Sequence, residues 1–166
     1  MEALEAILTR RSIRHYTKEP ISQEMIQKLL EAGMSAPSAC DFQPWQLVVI
    51  NERKVLDEIP TFHPHAAMLP EAPLAILICG EQDISRCWQQ DCAAAAQNIL
   101  LAAHALGLGA VWLGLFPRES RVAPLRKLLG IPEAVIPLAL IAIGHPDEQK
   151  PPQGKFKAEK VHYNRW

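Results

Sequence analysis

The stretch WQQDCAAAAQNILLAAHALGLGAVWLG, residues 88–114, joins a long segment of helical character to a short strand through closely spaced glycines. Its alanines, with Ile99, Leu100 and Leu101, favour helix from Trp88 to Leu106 on propensity. So little polar surface is left that this helix is expected to be buried on several sides, in a core or at a subunit interface. Gly107 follows the last helical residue and reads as the C-cap glycine, free to adopt positive φ. The glycines at 107, 109 and 114 do not form a dinucleotide-binding turn. Their spacing is not G-x-G-x-x-G, and they come before the strand AVWLGLF rather than after one.

On either side, PLAILICG and WQLVVIN upstream and AVIPLALIAIG downstream have the compact apolar character of buried strands. ERKVLDEI and RVAPLRKLLG, the latter ending at Gly130, return to helix. Near the start, Leu4, Ile7 and Leu8 form one apolar helical stripe. A second helix opens at the N-cap candidate Ser22, with Ile26, Leu29, Leu30 and Gly33 on one face. Taken alone, the alternation of helix and strand is the order of an α/β protein. Pro60, Pro64, Pro70 and Pro73 mark an irregular stretch that reads as a lid on the substrate side. Residues 147–166 are rich in proline and lysine and poor in core residues, so this tail is expected to lie against something other than itself.

The chain has 166 residues, 49% of them hydrophobic, which fits one domain with a sizeable core. With 17 basic and 18 acidic residues, the net charge of −1 provides no general field for nucleic acid or an anionic membrane. Any anion site must be local. The N-terminus lacks the marks of a secretory leader and no segment has the length of a membrane span, so a soluble, cytoplasmic protein is expected. Cys40, Cys79, Cys87 and Cys92 include no C-x-x-C pair, and His63 and His65 have no third ligand nearby in sequence, so no metal site is expected. Cys92 and His104 lie twelve positions apart on one helix and cannot meet as nucleophile and base.

With few acids, bases or nucleophiles available, the chemistry is expected to come from a bound organic cofactor that the protein holds and tunes. The run RRSIRHY, residues 10–16, then has a purpose. Forked guanidinium groups match the oxygens of a phosphate monoester, and Ser12 adds a hydroxyl beside them.

TRRSIRHY, APSACDFQPW, QNILLAAHALGLGAVWLG, AIGHP and the closing VHYNRW, in that order and covering nearly the whole chain, resemble the nitroreductase family, specifically its short single-domain members. The resemblance implies a single FMN-binding domain over residues 1–166. It implies an α+β fold with a mixed central β-sheet flanked by helices, and a homodimer with a domain-swapped C-terminal arm formed by residues 147–166. It implies an NAD(P)H oxidoreductase with ping-pong hydride transfer through the flavin N5 to nitroaromatic, quinone or similar conjugated acceptors. The alternatives are a non-catalytic flavin-binding redox module and specialised flavin chemistry such as dehalogenation or flavin cleavage. No side chain is expected to act as a catalytic nucleophile.

By position, Arg10, Ser12 and Arg14 resemble the family's phosphate and ribityl contacts. Arg11 beside them is expected to make backbone or ring-edge contacts, or to pair with an interface carboxylate. Pro37, Ser38 and Ala39 resemble the loop that meets the flavin from the opposite subunit, with Gln43 ordering it. Trp112, Leu113 and Gly114 resemble the stretch whose backbone N–H groups approach the flavin N5 and O4 edge, and Arg165 the basic residue that the arm carries to the phosphate. Asp41 stands where the family usually has asparagine, so an acceptor-only carboxylate replaces an amide donor.

Overall fold

The computed structural model describes all residues from 1 to 166. Helix α1 spans Ala3–Thr9 and α2 Gln23–Met34. Ser22 caps α2 as its sequence suggests, its hydroxyl oxygen accepting the Met25 backbone N–H at 3.2 Å. The remaining elements are β1 (Trp45–Ile50), α3 (Arg53–Glu58), β2 (Leu74–Glu81), α4 (Trp88–Ala105), β3 (Gly109–Gly114), α5 (Glu119–Leu129) and β4 (Val135–Gly144). Gly107 and Gly130, just beyond α4 and α5, take φ of 78° and 65°, the left-handed conformation that ends helices at little cost for glycine.

The four strands lie in the order β1-β2-β4-β3. Every neighbouring pair is antiparallel, which corrects the α/β order suggested by the alternation and narrows the mixed sheet of the family expectation. The reason is in the connections. The α3 and α5 connections join sheet neighbours, whereas α4 crosses over β4, so β2 and β3 share a direction without touching. The parallel component is one isolated bridge between Ser12 and Ala110 at the free edge of β3. Pro137 is tolerated in the central strand β4 because the register shifts there: Ile78 faces Ala139 while Cys79 faces Pro137, leaving Leu138 as an extra residue.

Alternate residues of β2 and β4 feed two cores. Leu74, Ile76, Ile78, Ile141 and Ile143 face α2 and α4, packing with Leu29, Ala95, Ala96 and Ile99. Ala75, Leu77, Leu140 and Ala142 face the other way, under Leu56, Ile59, Leu69 and Leu125. The α4 helix is buried along most of its length, as its alanine content implies. Within the irregular stretch after α3, Ala66, Met68, Leu69 and Ala72 are themselves buried, so it packs onto the core. In α1, by contrast, only Ala6 is buried, and Leu4, Ile7 and Leu8 point to solvent at 68%, 56% and 62% exposure. No helix is long and apolar enough to cross a membrane.

Candidate functional site

Residues 10–16 run along the edge of β3, with the Ile13 N–H donating to the Ala110 carbonyl at 3.0 Å. Two glycines that face each other across β3 and β4, Gly109 and Gly144, make room for this segment. A Cβ on Gly109 would stand 2.6 Å from the Ile13 Cγ2, and one on Gly144 would stand 2.8 Å from the Tyr16 ring. Ile13 and the buried Tyr16 thus lie directly on the sheet backbone, and the Tyr16 hydroxyl donates back to the Ile13 carbonyl at 2.6 Å.

Arg10, Arg11, Ser12 and Arg14 line a cavity of about 270 Å³ with Lys150, Gln153 and Lys155 from the C-terminal segment. The root of that segment is tied to the arginine run. Glu148 accepts the Arg14 backbone N–H at 2.6 Å and the Lys150 ammonium at 2.8 Å, and Lys150 also donates to the Ser12 carbonyl at 2.9 Å. The Lys150 bond above all, with the Arg14 N–H, holds the Glu148 carboxyl well below the usual range, at about 2. Arg11 donates its guanidinium to the Pro151 carbonyl, a backbone contact rather than an ion pair. The Arg10 and Arg14 guanidiniums and the Ser12 hydroxyl make no hydrogen bond or ion pair within the chain. This cavity presents donors and positive charge with no carboxylate in its lining, the arrangement that binds a phosphate.

Arg14 also lines a second cavity of about 420 Å³ with Trp112, Leu113 and Gly114, closed by Met68, Ala67, His63 and His65. Register shows which backbone groups face it. Leu115 N–H bonds to the Leu138 carbonyl, and Leu113 lies opposite Leu140, so in an antiparallel ladder the N–H groups of Trp112 and Gly114 point off the sheet edge. Gly114 has open space where a side chain would be, with no atom within 4 Å of an added Cβ. Its carbonyl accepts from two side chains, His63 Nε2 at 3.0 Å and Arg121 at 2.8 Å. Trp112, at 37% exposure, supplies a flat apolar wall.

The loop from Pro37 to Gln43 lies elsewhere. It precedes β1, at the opposite edge of the sheet from β3, three strand spacings or about 14 Å away. Cys40, Asp41 and Gln43 have positive φ of 50°, 56° and 49°, a strained run for residues with side chains. Its restraints are visible. The Ser38 hydroxyl accepts the Gln43 N–H at 3.0 Å, and the buried Asp91 takes the Ala39 N–H at 3.0 Å and the Ser85 hydroxyl at 2.7 Å. Asp41 accepts the Gln43 side-chain amide at 2.9 Å, so Gln43 orders the loop through the very residue that departs from the family pattern. Arg165 sits in the exposed tail, its backbone N–H bonded locally to the Tyr163 carbonyl at 2.8 Å.

One chain therefore brings Arg10, Arg11, Ser12, Arg14, Trp112, Leu113 and Gly114 together and leaves Pro37, Ser38, Ala39, Asp41, Gln43 and Arg165 apart. Sequence reasoning missed Lys150 and Lys155, which reach the cradle only through the contacts of the folded tail. It weighed His63 and His65 only as metal ligands, without placing them at the β3 cavity that they line. The largest surface cleft, about 760 Å³, shares no residue with either cavity. It mixes Lys18 and Arg53 with Glu71 and Asp147, and Arg53 is already bonded to Asp57, Leu69 and Ala72. Burial pushes the Cys79 and Cys92 thiols up to about 12, so neither serves as a nucleophile.

Comparison with known proteins gives consistent similarities. The sequence pattern of the nitroreductase family matches residues 7–68 and 62–145. A Methanothermobacter thermautotrophicus protein, provisionally named an NADH dehydrogenase/NAD(P)H nitroreductase, is 46% identical over 169 residues, spanning 100% of this chain and 88% of its own. A structure of the same provisional name from Bacteroides thetaiotaomicron superimposes with a TM-score of 0.97 at 44% identity, over 99% of this chain and 98% of its own. A structure from Desulfovibrio desulfuricans, provisionally described as a nitroreductase and solved in complex with FMN, gives 0.88 at 34% identity, over 100% and 98%.

Proposed function

The chain belongs to the nitroreductase family, and from that membership and the geometry of its two cavities we propose that it is an FMN-dependent NAD(P)H oxidoreductase. One observation carries the reading: Arg14 lines both the basic cradle and the flat pocket along β3. A phosphate-bearing ring compound fits such a pair. The unpartnered guanidiniums of Arg10 and Arg14, the Ser12 hydroxyl and Lys155 would hold the phosphate. The N–H groups of Trp112 and Gly114 would meet polar atoms on the ring edge, and the missing side chain at Gly114 lets the ring approach the strand.

When bound, the flavin supplies two-electron chemistry that none of the lining side chains offers. The protein's part is to bind, orient and exclude water. Trp112, Met68 and Leu113 form the apolar walls, and the edge donors favour negative charge that builds up along the ring. A reduced nicotinamide enters the cleft and leaves before a nitroaromatic, a quinone or another conjugated acceptor takes its place, a ping-pong order.

The working form in this reading is a homodimer. The α1 stripe of Leu4, Ile7 and Leu8 and the tail residues Phe156, Tyr163 and Trp166 are exposed apolar groups that a second copy would cover. The separation of the Pro37–Gln43 loop from β3 is what a loop serving the partner's site requires. Steady-state assay tests the function. With NADH or NADPH against menadione or nitrofurazone, parallel double-reciprocal lines are expected. Bleaching of the flavin without turnover on any acceptor would favour the non-catalytic flavin module.

A further inference from the structure

His63 was left unexplained by composition and motif, yet it is 1% exposed and carries two hydrogen bonds that define its state. Nε2 lies 3.0 Å from the Gly114 carbonyl, which can only accept, so Nε2 carries the proton. Nδ1 lies 3.3 Å from the His65 backbone N–H, which can only donate, so Nδ1 is bare. These partners specify the neutral ring in one tautomer. The ring forms a wall of the β3 cavity, and its bonds tie the irregular 62–69 stretch to the strand edge that meets the ligand.

We infer that His63 is a positioning residue for the flavin ring: as the neutral Nε2–H tautomer it shares the Gly114 carbonyl with Arg121 and pins the 63–65 turn, and so fixes both the strand edge and the wall facing it. The inference rests on the FMN reading above. It explains why a carbonyl at the end of an edge strand takes two side-chain donors. It also makes the wall sensitive to acid. A proton on Nδ1 would set two donors against each other at His65 and place a second cation beside Arg121, with Arg14 across the cavity and His65 on the same turn. Burial first, then the Arg121 charge, holds the ring's proton affinity below its ordinary value of 6.5, against the opposing effect of the Gly114 bond. The site is therefore intact near neutrality and strained when driven into acid.

The test is an equilibrium FMN titration, followed by flavin fluorescence and visible absorption, of the wild-type dimer, His63→Gln and His63→Leu between about pH 7.5 and pH 5. Glutamine keeps a donor and an acceptor but does not titrate, whereas leucine keeps only bulk. At about pH 7.5, His63→Gln is expected to bind FMN within about threefold of wild type and His63→Leu about tenfold or more weakly, the scale of one or two lost hydrogen bonds. The bound-flavin spectrum of the leucine variant should also move toward that of free FMN. The ratio of wild-type to His63→Gln dissociation constants should be flat above about pH 6.5 and rise only below it, because the ring is held below its ordinary value. Titration of the FMN phosphate is common to both proteins and cancels in that ratio. Wild-type affinity and spectrum in His63→Leu, or a ratio that falls as the pH drops, would overturn the inference. If His63→Leu loses cooperative urea unfolding, the glutamine ratio decides alone. A wild-type protein that binds no FMN would instead bring down the functional reading itself.

Discussion

Ile13 lies against Gly109 so closely that a methyl group on the glycine would come within 2.6 Å of the Ile13 Cγ2 and 2.8 Å of its Cβ. The arginine run is held to the sheet by this contact and by its counterpart between Tyr16 and Gly144. Gly109→Ala should therefore force the segment off the strand. Overpacking against a β-branched side chain costs about 1–3 kcal/mol, and the urea midpoint should fall accordingly. FMN affinity should fall with it, because Arg10 and Arg14 flank the displaced residue. An unchanged midpoint together with unchanged FMN affinity would show that the segment can shift without consequence.

Gly114 presents the opposite case. Nothing stands within 4 Å of its missing side chain, and its φ is not positive, so the strand accepts any residue there. Gly114→Val should leave the urea midpoint within about 0.5 kcal/mol of wild type, the range of surface substitutions. It should abolish tight FMN binding by filling the space that the ring needs. Spectral titration beside urea denaturation separates the two effects, and a valine variant that still binds FMN normally would move the ring away from β3.

Acid should loosen the root of the C-terminal arm. The Glu148 carboxyl is held at about 2 in the folded chain against an ordinary value of 4.5, through Lys150 first and the Arg14 N–H as well. A depressed folded value means that its contribution is fully present above about 4.5 and is lost as pH falls from there toward about 2. Glu148→Gln should flatten that acid limb by lowering stability in the neutral region, where the ionised carboxylate contributes, while matching wild type at the acid end. Stability curves from urea denaturation between pH 2 and pH 7 check this, and a variant with the wild-type acid limb would place the acid sensitivity elsewhere.

Removal of residues 147–166 should cost both dimerisation and flavin. The tail carries Lys150 and Lys155 into the cradle and leaves Phe156, Tyr163 and Trp166 uncovered on a single chain. Sedimentation velocity on the full chain should give a dimer, and the truncated chain should lose FMN. A truncated monomer that retains tight FMN binding would contradict the proposed role of the arm.

Much of this architecture is legible in the sequence because it is local. Ser22, Gly107 and Gly130 bound helices through their own backbone chemistry, and the apolar runs of β2 and β4 reflect burial on both faces. Strand direction is not local. It depends on α4 crossing over β4, which no periodicity reports, so the helix–strand alternation suggested parallel strands where the sheet is antiparallel. The arginine cradle was visible as charge density, but Lys150 and Lys155 enter it only through the tertiary contacts of Glu148. His63 was opaque for the same reason: its role depends on the carbonyl of Gly114, 51 residues away.

The cradle of Arg10, Ser12 and Arg14 is proposed to recognise the phosphate of FMN. Parallel titrations of the apoprotein with FMN and with riboflavin, which lacks the phosphate, isolate this contribution. One FMN per chain should bind, preferred over riboflavin by about a hundredfold or more, on the scale of two or more charge-assisted hydrogen bonds at about 1.5–3 kcal/mol each. In Arg10→Ala that preference should shrink about tenfold or more, with riboflavin affinity nearly unchanged. Equal affinity for FMN and riboflavin, or a preference that survives the loss of Arg10, would contradict the assignment of the cradle.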